Sequence, residues 1–238
     1  DFTRYVAFHL SAWPPRDDPD AGPVRRSTLR EMHTPTQPTG VNATAKTLAG
    51  EPNPLANGYG FGLSVSLDSK GVRFARHSGG LPGFGSEYRF FPDYGFGVFS
   101  FANITYAGTG ATNAKVATLL LEKAQLPPRT LPVSKILAQR KQQLATLLSD
   151  SAWDERLGAE ILAENFFPDR SRADWIAHTR TALASAGKIA SVGALVPLNQ
   201  LRGTFPLIGA HGRIDLFFTL TPEATPKVQE LRLTFVAP

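Results

Sequence analysis

The chain has 238 residues, 42% of them hydrophobic, which suits one large or two modest domains with a real core. It has no cysteine, which excludes disulfides, thiol catalysis and cysteine-bound zinc, and no run of about eighteen apolar residues of the kind a spanning helix needs. The net charge of +5 is spread over both halves, and its densest patch, VRRSTLR (Val24 to Arg30), lacks interleaved aromatics, so it reads as a solvated loop and no nucleic-acid partner is expected.

DFTRYVAFHLSAW opens the chain as an amphipathic helix, with Asp1 as N-cap and Phe2, Tyr5, Val6, Leu10 and Trp13 on one face. A chain that begins at Asp1 on a core-facing helix, with Met32 as its only methionine, is expected to be cut from something longer. PPRDDPDAGP (Pro14 to Pro23) and the Pro/Gly/Asn-rich stretch from Thr34 to Gly58 read as long irregular connections, because proline removes backbone donors. YGFGLSVSLD (Tyr59 to Asp68) alternates as a strand, and VRFARHSG (Val72 to Gly79) reads as the next. FGSEYRFF and FGVFSFAN form a hairpin about the turn Pro92 to Gly95. Thr112 to Leu126 is a helix stopped by Pro127 and Pro128.

Residues 127–132 read as a linker. Three helical stretches follow, Val133–Leu148, Ala152–Phe166 and Arg172–Ala186, the last capped by Gly187. Then come four strand-like runs, Ile189–Leu198, Leu201–Ile208, Arg213–Leu220 and Val228–Val236, with a hairpin turn at Gly209 to Gly212. Helices followed by an antiparallel meander make an α+β pattern. Trp153 and Trp175 read as core anchors, and Asp215 as a solvent-facing strand residue.

The chemistry-bearing stretch is HSGG, His77 to Gly80, at the start of the hairpin. Strand alternation places His77 and Gly79 on one face, Ser78 and Gly80 on the other. Gly80 lacks a Cβ, so a ligand can approach its N–H, and such an amide is half of an oxyanion hole, worth about 3 kcal/mol to a transition state. Ser78 offers a hydroxyl to a carboxylate or a proton relay, and His77 a tunable charge. The other histidines, His9, His33, His178 and His211, are scattered singly, so no metal is expected. Asn42-Ala-Thr44 and Asn103-Ile-Thr105 match glycosylation sequons, a pattern common by chance.

HSGG and its flanks resemble the penicillin-recognising serine hydrolases, in the branch of class C β-lactamases, DD-peptidases and esterases. HSGG matches the family's Lys/His-Thr/Ser-Gly third motif. YGFGL (Tyr59 to Leu63), GFGS (Gly83 to Ser86), FFPD (Phe90 to Asp93), GFGVFSFAN (Gly95 to Asn103) and the helix to Leu126 follow in the family's order. The resemblance covers residues 1–126, and it implies a partial β-lactamase-like domain of antiparallel sheet and packed helices. It implies that Gly80 N–H is an oxyanion donor, that Ser78 with Gly79 binds the carboxylate of a small-molecule or peptide substrate, and that His77 tunes the local charge. It implies no cofactor, a possible homo-oligomer, and a bacterial envelope or periplasmic location.

The family's nucleophile, Ser-x-x-Lys, and its Tyr/Ser-x-Asn motif both precede the third motif. Here the one Ser-x-x-Lys is Ser185 to Lys188, at a helix end after that motif, and no Tyr-x-Asn or Ser-x-Asn occurs. The chain is therefore expected to carry one wall of an active site and to be inactive alone. A degenerate hydrolase kept as a binding or assembly module is the alternative. Residues 133–238 resemble a cystatin-like or nuclear-transport-factor-like domain, expected to enclose an apolar pocket and to have no catalytic role.

Overall fold

The computed structural model describes residues 1–149 and 153–238. They form two compact units, Asp1–Thr130 and Leu131–Pro238. Each is built on one antiparallel sheet with helices packed on it, so the fold is mixed α+β.

In the first unit, helices α1 (Phe2–Leu10) and α2 (Arg26–Met32) precede strands β1 (Gln37–Asn42), β2 (Leu55–Tyr59), β3 (Ser64–Asp68), β4 (Arg73–Leu81), β5 (Phe84–Phe91) and β6 (Phe96–Ala102). The strands pair in chain order as a meander, β1-β2-β3-β4-β5-β6. One face is covered by α1, whose Val6 and Leu10 are buried against Leu63, Val65, Ala75 and Phe90. The other carries α3 (Thr109–Thr118), which runs on as a π-helical turn to Lys123, short of the predicted end at Leu126.

Three expectations are corrected here. Thr34 to Gly58 is no irregular connection, since it holds β1 and most of β2. Alternation did not show β1 because all six of its residues are exposed. Its Pro38 is tolerated because β1 is an edge strand whose register shifts between Pro38 and Gly40. Tyr59 to Asp68 is not one strand. The chain reverses at Gly60-Phe61-Gly62, where Gly62 takes φ +73° and Gly60 N–H bonds Leu63 O at 2.9 Å, so β2 and β3 become partners. VRRSTLR is no solvated loop: Arg26 to Met32 is helix α2, and Arg26 is buried, donating to Asp20 at 2.8 Å and Asp18 at 3.0 Å. The acids of the proline-rich stretch thus hold the start of α2.

The second unit has helices α4 (Lys135–Ser149), α5 (Glu155–Ile161) and α6 (Arg172–Ala186), then strands β7 (Ile189–Val192), β8 (Val196–Asn199), β9 (Arg202–Gly209), β10 (Gly212–Leu220) and β11 (Val228–Val236). The sheet order is β11-β10-β9-β7, with β8 also on β9. The run from Ile189 to Leu198 is thus two strands, parted at Gly193, whose N–H bonds Pro206 O. The stretch drawn to Phe166 as one helix ends at Ile161, because Ala163 N–H turns to bond Val228 O beside β11, and a short 3-10 turn follows. Its predicted start at Ala152 lies outside the described residues. Gly187 caps α6 at φ +73°.

The apolar strand runs do not line an open pocket. Phe205, Leu207, Ile214, Leu216 and Phe218 are 0–1% exposed and packed with Leu137, Leu144, Leu148, Ile161 and Trp175 into one core. Alternation explains it: these residues share the inner face, while Asp215 points outward and pairs with Arg213 at 2.9 Å. Trp153 packs against the same cluster.

Candidate functional site

HSGG sits on β4, whose pairing with β5 runs from Ala75↔Phe90 to Leu81↔Phe84. The two-residue turn Pro82-Gly83 makes Leu81 and Phe84 the closing, hydrogen-bonded pair. Antiparallel alternation then makes His77↔Tyr88 and Gly79↔Ser86 bonded pairs, and Ser78↔Glu87 and Gly80↔Gly85 non-bonded ones. The N–H and C=O of Ser78 and Gly80 therefore point away from β5. On that side β3 pairs with β4 only from Leu67↔Arg73 to Ser64↔Arg76. Beyond Arg76 this edge of β4 has no strand beside it among the described residues, and both amides face outward.

Ser78 and Gly80 line an open cleft of about 980 Å³ on the sheet face that carries α3. Thr39 to Asn42 form one wall of it, and Tyr106 to Ala111, leading into α3, form another. Gly79 reaches the cleft too. Its carbonyl accepts from Ser86 Oγ at 3.3 Å. Arg76 also lines the cleft, exposed and in no ion pair among the described residues. A guanidinium, a hydroxyl and outward amides give this edge a donor-rich character suited to an anion.

His77 stands apart from these groups. It projects from the opposite face, exposed, with Nε2 3.3 Å from Tyr59 Oη. Ser78, Gly79 and Gly80 are thus brought together at one edge, and His77 flanks that edge from behind.

The reason for glycine at residue 80 differs from the one expected. A Cβ there would sit 2.3 and 2.4 Å from Cδ1 and Cε1 of Tyr106. A Cβ on its partner Gly85 would sit 2.6 Å from Ala107 N. The facing glycines leave a bare patch on which the chain after β6 lies down. The space is filled by Tyr106, and approach to the Gly80 amide comes along the strand edge.

The same cleft is lined by a charge pair that residue types alone do not reveal. Glu87 and Arg89, both nearly buried, meet through Arg89 Nη2 to Glu87 Oε1 at 2.6 Å. Arg89 also donates to Gly110 O, and Asn113 Nδ2 donates to Glu87 Oε2 and to the Glu87 carbonyl. These bonds tie α3 to β5.

On the other face the histidines read as scattered are joined. His9 Nδ1 lies 2.8 Å from His33 Nε2, and Trp13 Nε1 donates to His33 Nδ1 at 2.8 Å. An indole N–H can only donate, so His33 Nδ1 accepts and its proton sits on Nε2, donating to His9. The His9 proton is then on Nε2, buried and without a partner among the described residues. Burial pushes the His9 pKa down to about 4. Burial, then His9 and Arg73, push His33 down to about 3. Both are neutral and structural. Among the described residues no group of three or more histidine, aspartate or glutamate side chains gathers to hold a metal, and no helix is long and apolar enough to cross a membrane.

No family model matches the chain. It is 32% identical over 94 residues to the unguisins hydrolase ungD' of Aspergillus campestris, across 38% of this chain and 18% of that protein. Among solved structures it is similar to the octameric penicillin-binding protein homologue from Pyrococcus abyssi, at 11% identity and a TM-score of 0.41. That match covers 98% of this chain and 41% of the other. The chain thus spans less than half the length of either protein, and its relationship to a hydrolase is a distant one.

Proposed function

We propose that this chain is the C-terminal portion of a β-lactamase-like serine hydrolase that cleaves amide or ester bonds through an acyl-enzyme. The observation that carries the reading is the Gly80 amide, aimed off an unpaired strand edge into a donor-lined cleft. In the proposed reaction Gly80 N–H holds the oxyanion of the tetrahedral intermediate. Ser78 Oγ donates to a substrate carboxylate, with Gly79 supplying close backbone approach, and His77 sets the charge behind the strand. Arg76 joins them as a cation for that carboxylate.

The attacking serine and its base belong, in this reading, to the part of the parent protein that precedes Asp1. The chain alone is inactive, since loss of the nucleophile costs a serine hydrolase about six orders of magnitude in rate. Residues 133–238 are proposed as a cystatin-like or nuclear-transport-factor-like domain with no catalytic group. A bacterial envelope or periplasmic location is part of the same proposal.

The test is covalent labelling of the full-length parent with a fluorescent penicillin and a fluorophosphonate. Labelling of a serine upstream of Asp1, with none on this chain alone, is the expected result. A parent that lacks Ser-x-x-Lys, or takes no label while still binding a carboxylate peptide, supports the rival reading as a binding module.

A further inference from the structure

Tyr106 is costly to place. It takes φ +50°, a left-handed conformation that is uncommon for a residue other than glycine, asparagine or aspartate. The residue is 74% exposed although its ring lies over Gly80, and its phenol makes no hydrogen bond among the described residues. The surrounding backbone holds it there. Tyr106 N–H bonds Phe84 O at 3.2 Å, Ala107 N–H bonds Ile104 O at 3.2 Å, and Gly83 N–H bonds Thr105 Oγ1 at 2.7 Å. Ala107 rests on Gly85, the partner of Gly80. A segment needed only to join β6 to α3 has no reason to strain a residue and leave an aromatic ring in water.

We propose that Tyr106 is the specificity-determining residue of the candidate site, a platform on which a planar aromatic group of the substrate stacks beside the bond to be cleaved. The assignment rests on the reading of Gly80 as an anion-holding amide. The ring touches Gly80 and lines the same cleft as Ser78 and Arg76. A substrate whose developing oxyanion lies at the Gly80 amide carries its neighbouring group against this ring. An aromatic group gains both area burial and offset stacking there, while a small aliphatic group gains little. The favoured substrates are acyl compounds or peptides with an aromatic moiety next to the scissile carbonyl.

The experiment uses two probes with the same tetrahedral anion, methylphosphonate and benzylphosphonate, titrated into this chain while the Gly80 amide is followed by NMR. Benzylphosphonate is expected to bind about fivefold tighter. Tyr106→Ala should bring it down to the affinity of methylphosphonate, and Tyr106→Phe should keep the preference, because the ring and not the hydroxyl is the platform. Unperturbed amides of β2 and β3, in the same unit as Tyr106, show that each variant is folded. Equal affinities in the unaltered chain, or a preference that persists in Tyr106→Ala, overturn the assignment and leave the anion site standing. If neither probe moves the Gly80 amide, the anion site itself fails, and the role of Tyr106 with it.

Discussion

Lowering the pH from 7 to 4.5 is expected to remove about 5 kcal/mol of stability from the first unit through His9 and His33 alone. Both are essentially inaccessible, at 1% and 0% exposure, and both are pushed from 6.5 down to about 4 and about 3 in the folded chain. A base whose pKa is depressed on folding binds its proton more readily in the unfolded state. Its contribution is complete above pH 6.5 and is lost as the pH falls toward the folded value. Each pH unit in that window costs up to 1.36 kcal/mol per histidine. The hydrogen-bond chain makes the charge hard to accept, since His33 has both ring nitrogens committed and His9 is stacked on Phe90. Urea midpoints at pH 7, 6, 5 and 4.5 measure the slope. Asp18 and Asp20, held below their ordinary 3.8 chiefly by bonds to Arg26, act only at lower pH and do not confuse the window. A double variant His9→Leu, His33→Leu should lose the slope, and a wild-type midpoint that stays flat to pH 4.5 would refute it.

Arg89→Met is expected to destabilise the first unit by about 3–5 kcal/mol. Arg89 is 7% exposed and Glu87 3%, and the substitution leaves the carboxylate desolvated with only Asn113 to answer it. The bond to Gly110 O, at the start of α3, goes as well. The double variant Glu87→Leu, Arg89→Met should recover much of the loss, because a buried pair replaced by apolar groups is often nearly neutral. Guanidinium melts of the two variants decide the matter. A single variant as stable as the parent chain, or a double variant no better than the single, would show that the pair is not what fastens α3 to β5.

What was legible in the sequence was what repeats with a simple period. β5, α1 and the inward runs of β9 to β11 all announce themselves by alternation or by helical spacing, because one face of each is buried. β1 has no buried face, so its pattern carried no signal, and its proline and glycine argued against a strand. The His9–His33 contact joins residues 24 apart on separate helices, which no local pattern encodes. The candidate site lay between these cases. HSGG was visible, and the direction of its amides could have been counted from the Pro82-Gly83 turn. The Gly80↔Gly85 pairing that admits Tyr106 needs that register together with the conformation of the chain after β6, and residue types alone do not give it. Arg76 carries no signal in the sequence, because a lone arginine on an exposed strand ordinarily marks nothing.

Amide hydrogen exchange along β4, read residue by residue by NMR, probes the proposed oxyanion donor without any ligand. Gly79 and His77, bonded across to β5, should be strongly protected, while Ser78 and Gly80 should exchange at close to the rate of an open chain. Protection of the Gly80 amide equal to that of Gly79 would mean that it is already satisfied within the protein, and the hydrolase reading of this edge would be lost.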